Sequence, residues 1–163
     1  MNALIPAFVA VLLAEIGGGL IIFGRERRLV AAFIMLLLIV LAVITGSMIG
    51  ALLIVPARTL MLGLALVFAA TAQFGRGRSG GDTSTLLASA LTLYRSPSPF
   101  LAFAFTAWMG APIGAGAGSM AALVVAAGIG TVAPSMPRGA RVGAGTILGL
   151  AGIFAMLSGL RVL

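Results

Sequence analysis

The chain has 163 residues, 61% of them hydrophobic and only 8% charged, with a mean hydropathy of +1.25, so it lacks the polar surface that a water-soluble domain of this size needs. It contains no cysteine and no histidine, which excludes disulfides, thiolate metal sites, the usual zinc sites and histidine-based acid–base catalysis. The net charge of +7 comes from ten arginines that fall almost entirely between apolar runs, the placement of membrane topology and not of a nucleic-acid-binding face.

Arginine and proline divide the sequence into apolar segments at 3–23, 29–55, 59–74, 82–94, 97–133 and 142–160. A hydrocarbon core of about 30 Å takes about 20 helical residues. The first, second and sixth segments meet that length, and the third is slightly short. The fourth is too short unless its helix starts near Arg78 or is partly unwound. The fifth is too long for one straight crossing and must break, with the run Gly110-Ala111-Pro112-Ile113-Gly114-Ala115-Gly116-Ala117-Gly118 as the place. The N-terminal segment has no basic flank and stays apolar for about a membrane thickness before Arg25, so it reads as a crossing and not as a signal peptide. The expectation is an all-α integral membrane protein with six transmembrane helices.

Six crossings place Arg25, Arg27, Arg28, Arg76, Arg78, Arg138 and Arg141 on one side, and Arg58, Arg95 and Arg161 on the other. By the positive-inside rule the richer side is cytoplasmic, which puts both termini on the non-cytoplasmic side of a cell (inner) membrane. A separate seventh crossing at 119–133 would weaken that split.

Glycine positions also recur along the chain. Gly17 and Gly81 are 64 residues apart, as are the pairs Gly46/Gly50 and Gly110/Gly114, and the stretch 63–69 resembles 149–155. The ordered set predicts two three-helix repeats, at 1–75 and 76–163, in one membrane domain. An odd number of helices per repeat makes the second copy inverted.

Three acidic side chains occur in the whole chain, and Glu26 lies among arginines. The other two, Glu15 and Asp82, stand beside glycine pairs. A carboxylate inside a membrane span costs roughly 2.5–3.5 kcal/mol on insertion scales, so one that persists has a partner or a function. Two carboxylates with the hydroxyls of Ser84 and Thr85 suit a hard divalent cation such as Mn²⁺ or Ca²⁺. Gly17, Gly18 and Gly81 let the backbone approach an ion or unwind. Paired carboxylates in low dielectric resist double ionisation, so cation binding displaces a proton. That coupling is the core of a cation/proton antiporter.

These motifs resemble the Gdt-one-like family of manganese/calcium–proton exchangers, marked by Glu-x-Gly-Asp-(Lys/Arg)-(Thr/Ser) once per three-helix half. In the first half Leu13-Ala14-Glu15-Ile16-Gly17 matches, while the Asp, basic and Thr positions fall on Gly18, Gly19 and Leu20. In the second half Gly81-Asp82 matches and Ser84 fits the hydroxyl position, with the Glu falling on Ser79 and the basic position on Thr83. The resemblance implies exchange of a divalent cation for protons, with Glu15 and Asp82 as shared ligands and proton carriers, Ser84 and Thr85 as auxiliary oxygens, and no resident cofactor. The family pattern has two acids per repeat and this chain keeps one, so a degenerate paralogue or structural membrane subunit stands as the alternative.

Plainer roles exist for each residue. Glu15 can be a polar residue bonded to a neighbouring helix, and Asp82 a helix N-cap beside Arg76 and Arg78. The GxxxG spacings read as close packing, and a homodimer is left open. Trp108 suits an interfacial anchor, and Asn2, Gln73 and Tyr94 suit membrane-interface positions. No nucleophile–base pair is present, so an enzyme is not expected, and the lipid bilayer, the cation and protons are the expected partners.

Overall fold

The computed structural model describes residues 3–16, 25–75, 96–132 and 137–160, whose regular structure is all α-helical. Six helices follow in chain order: α1 (Leu4–Ile16), α2 (Arg25–Leu52), α3 (Val55–Gly75), α4 (Pro97–Met109), α5 (Pro112–Val132) and α6 (Arg138–Gly159). Four hold stretches long and apolar enough to cross a membrane: Ala32–Leu52, Val55–Phe74, Pro112–Ile129 and Arg138–Gly159. The described part of α1 and the whole of α4 have 13 residues each, fewer than a bilayer core takes. The expected segment 82–94 lies outside the described residues.

Two boundaries differ from the sequence expectation. The segment 97–133 breaks as expected, but only at Gly110 and Ala111. Gly110 takes a left-handed φ of 61° that closes α4, and its N–H donates to the Thr106 carbonyl at 3.0 Å. Pro112 then opens α5, while Gly114, Gly116 and Gly118 stay helical, because an apolar span must satisfy its backbone internally. Residues 119–132 are the continuation of α5 and not a separate helix. Between α2 and α3 only Leu53 and Ile54 intervene. Pro56 sits in the first turn of α3, where its missing N–H is not needed, and Arg58 Nε donates to the Leu53 carbonyl at 2.9 Å.

Small residues decide which helices meet. On α2 the buried stripe is Met35, Ile39, Gly46 and Gly50, while Phe33, Leu37, Leu41, Ile44 and Met48 face outward. A helix apolar on both faces is what a lipid environment permits. The backbone of α4 lies against the glycines of that stripe: a methyl at Gly46 would stand 2.6 Å from the Phe103 carbonyl oxygen, and one at Gly50 2.7 Å from Ala107 Cα. Antiparallel α3 and α6 form a longer seam, with Gly159 against Leu60, Gly152 against Gly63 and Val67, Gly149 against Ala70, and Gly145 against Gln73 and Phe74. Gly118 of α5 meets the Leu4 backbone of α1. The GxxxG glycines at 46/50 and 145/149 are therefore packing residues inside one chain. Gly46 and Gly110, matched by spacing, occupy different environments: one is a mid-helix contact and the other a helix terminus.

Candidate functional site

The C-terminal end of α1, the C-terminal end of α3 and the N-terminal end of α4 meet at Glu15. Its side chain is fully buried, at 0% exposure. Oε1 accepts hydrogen bonds from Ser96 Oγ at 2.9 Å and from Ser98 Oγ. Oε2 is buried and has no hydrogen-bond partner among the described residues.

The two serines reach Glu15 because of how α4 begins. Ser96 holds the N-cap backbone conformation, with φ −68° and ψ 134°, yet makes no capping hydrogen bond. In Ser96-Pro97-Ser98-Pro99 two of the first three helical positions are proline and carry no N–H, so fewer orphan donors compete for the hydroxyl. The hydroxyl goes to Glu15 instead. The carboxyl also sits at the positive end of the α4 dipole, a favourable place for negative charge.

Gln73 joins the same junction from α3. It is only 4% exposed, and its Nε2 donates to the Ala14 carbonyl at 2.5 Å and to the Leu13 carbonyl at 3.3 Å. Both carbonyls belong to the last turn of α1, where backbone acceptors lack intrahelical donors. Gln73 Oε1, like Glu15 Oε2, is buried without a partner among the described residues.

Two cavities flank the junction. One, of about 420 Å³, has Ser96 in its wall together with Leu38, Phe68, Phe100 and Phe103, and is otherwise almost wholly apolar. Phe68 and Phe100 meet edge-on there at 6.0 Å, and Phe100 stacks with Phe103 at 6.2 Å. The other, of about 390 Å³, is lined by Gln73, Phe74, Arg138, Arg141 and Val142. It lies where the span Val55–Phe74 ends and the span Arg138–Gly159 begins.

Of the expected site, only Glu15 falls within the described residues. Asp82, Ser84, Thr85, Gly17, Gly18 and Gly81 lie outside them, and no group of three His, Cys, Asp or Glu gathers among the described residues. Glu15 is met by Ser96 and Ser98, which sequence reasoning did not single out. Their signal is a hydroxyl pair alternating with prolines at the start of an apolar segment. Gln73, read from the sequence as a membrane-interface residue, is a buried member of the junction. The junction also locates Glu15 along the helices. Its neighbour Gln73 stands one residue before the end of the α3 span, so the carboxyl lies toward the end that carries Arg138 and Arg141.

No protein-family model, curated protein or solved structure matches the chain.

Proposed function

We propose that this is a multi-pass membrane transporter that exchanges a divalent cation, Mn²⁺ or Ca²⁺, for protons, with the Glu15 carboxyl as the group that both ions share. The observation that carries the reading is the pair of buried oxygens at one junction, Glu15 Oε2 and Gln73 Oε1, that have no partner among the described residues. Burying an acceptor without a donor is costly. A proton on Oε2 or a cation between such oxygens relieves that cost, so the two ions compete for the same place. Ser96 and Ser98 fix the other oxygen and with it the orientation of the carboxyl. Asp82, Ser84 and Thr85 complete the proposed ligand set, with Gly17, Gly18 and Gly81 as backbone around it.

Reciprocal packing supports the inverted-repeat part of the proposal. Helix α1 packs on α5 and α2 packs on α4, while α3 and α6 pack on each other. Exchanging α1 with α4, α2 with α5 and α3 with α6 leaves those three pairs unchanged, with the second unit starting at Pro97 and not at residue 76. The arginine-rich ends would face the cytoplasm and both termini the opposite side of the cell membrane.

The test is flux of Mn²⁺ and Ca²⁺ into proteoliposomes under an imposed pH gradient. Wild-type flux coupled to proton movement and lost in Glu15→Gln supports the reading; flux that survives both Glu15→Gln and Asp82→Asn overturns it. A second reading, a non-transporting membrane subunit, is favoured by one observation: Glu15 Oε1 ties α1 to α4 through two hydroxyls, as a structural clamp would. It predicts no flux in the wild type and a lower melting temperature in Glu15→Ala.

A further inference from the structure

The arginine-bearing cavity meets the Glu15 junction at Gln73, and the cation/proton reading leaves its two arginines without a role. Arg138 and Arg141 stand one helical turn apart at the start of α6 and both line it. The Nε of Arg141 is buried and has no hydrogen-bond partner among the described residues. A guanidinium donor left this way is a demand for an acceptor. By contrast Arg58, at the other end of α3, satisfies its Nε on the Leu53 carbonyl at 2.9 Å. The N-terminus of α6 adds the backbone N–H groups of Arg138 and Gly139, which Pro137 at the N-cap cannot cap, while that of Ala140 already donates to the Pro137 carbonyl at 3.0 Å. Among the described residues no acidic side chain lines the cavity.

The floor is polar as well. Gln73 lines the cavity, is 4% exposed, and holds Oε1 without a partner among the described residues. Exposed Phe74 and Val142 form its apolar rim at the level where two membrane spans end. Two guanidinium groups, a helix N-terminus and one buried acceptor make up a complementary set. They fit an oxyanion that also carries a hydroxyl, placed at the membrane surface.

We infer that Arg138, Arg141 and Gln73 form a phosphate-binding site, filled by the headgroup of an anionic phospholipid such as phosphatidylglycerol or by free phosphate. The phosphate oxygens accept from Arg138, from Arg141 and from the first turn of α6, and a glycerol or P–OH hydroxyl donates to Gln73 Oε1. Basic pockets between transmembrane helices at the membrane surface are suited to such headgroups. The apolar rim gives a lipid's acyl chains a path out of the cavity, which a free anion would not use.

The experiment uses the purified full chain in neutral detergent, with thermal unfolding followed by circular dichroism. Phosphatidylglycerol micelles, phosphatidylcholine micelles and inorganic phosphate are titrated in parallel. A saturable rise in melting temperature with phosphatidylglycerol alone identifies a lipid site; a rise with inorganic phosphate as well identifies a site for the oxyanion itself. Phosphatidylcholine produces neither. Arg138→Gln and Arg141→Gln each raise the half-saturating concentration about five- to tenfold, whereas Arg58→Gln removes the same charge and leaves it unchanged. Arg138 is exposed at the first residue of α6, so its variant remains informative even where Arg141→Gln fails to fold. The proposal is overturned by the absence of a saturable response to either phosphate source, or by equal responses in the Arg138, Arg141 and Arg58 variants. Both readings use Gln73 Oε1, but this readout needs no ion flux, so its failure is distinguishable from that of the transport reading.

Discussion

At the residue scale, the chemistry of the junction follows from what each polar atom lacks. Among the described residues Glu15 has one oxygen with partners and one without, Ser96 and Ser98 donate to the first, and Gln73 donates to the end of α1 while its own carbonyl oxygen has no partner. Removing a donor therefore differs from removing an acceptor. Ser98→Ala deletes a hydrogen bond to Oε1 but leaves that of Ser96, so it is expected to lower stability by about 0.5–1.5 kcal/mol. Gln73→Leu leaves the Leu13 and Ala14 carbonyls without their side-chain donor, and about 1–2 kcal/mol is expected. Urea or thermal unfolding in detergent micelles measures both. A Gln73→Leu protein as stable as wild type would remove Gln73 from the junction. The glutamine was readable as polar but not as buried, because burial depends on α1 and α6 arriving beside it.

At the element scale, glycines serve two distinct purposes, and substitution separates them. Gly152→Ala places a methyl 2.9 Å from the Gly63 carbonyl oxygen and the Val67 backbone, so the α3–α6 seam has to open. Two closely packed backbones give way poorly, and a loss of about 2 kcal/mol or more is expected. Gly46→Ala meets the Phe103 carbonyl oxygen at 2.6 Å and acts the same way between α2 and α4. Gly110→Ala is a different experiment. A methyl there meets nothing within 4 Å, and only the left-handed φ of 61° is strained, for about 1 kcal/mol. Melting temperatures of the three variants should rank accordingly, with Gly110→Asn above Gly110→Ala because asparagine tolerates that conformation better. A Gly152→Ala protein more stable than Gly110→Ala would contradict the tight seam. The spacing of these glycines was legible in the sequence; which partner each one faces was not.

For the whole molecule, helix directions can be checked against the arginine distribution. The start of α6 lies beside the end of α3, so Arg138 and Arg141 are at the opposite end of α3 from Arg58. The chain has no cysteine, which makes single introduced cysteines clean reporters. Gly139→Cys, at an open position, and Ile54→Cys, in the exposed turn between α2 and α3, should react with a membrane-impermeant thiol reagent from opposite sides in oriented vesicles. By the positive-inside rule Gly139→Cys is expected to label from the cytoplasmic side. Labelling of both from one side would overturn the membrane-crossing arrangement of α3.

The amino-acid sequence by itself determined the general character: an apolar helical chain, arginines between apolar stretches, a break near Gly110, and Glu15 as a rare acid in an apolar stretch. Those properties depend on local composition and on the cost of placing charge or unpaired backbone in lipid, which each segment carries alone. Tertiary structure decided the rest. It brought Ser96 and Ser98 across 81 and 83 residues of sequence to one carboxylate oxygen, set Gln73 at the end of α1, and put two arginines of α6 into a cavity with the end of α3. Such meetings are set by which small-residue stripes fit together. In a chain with 23 glycines the sequence offers many candidate stripes, and only the packed helices select among them.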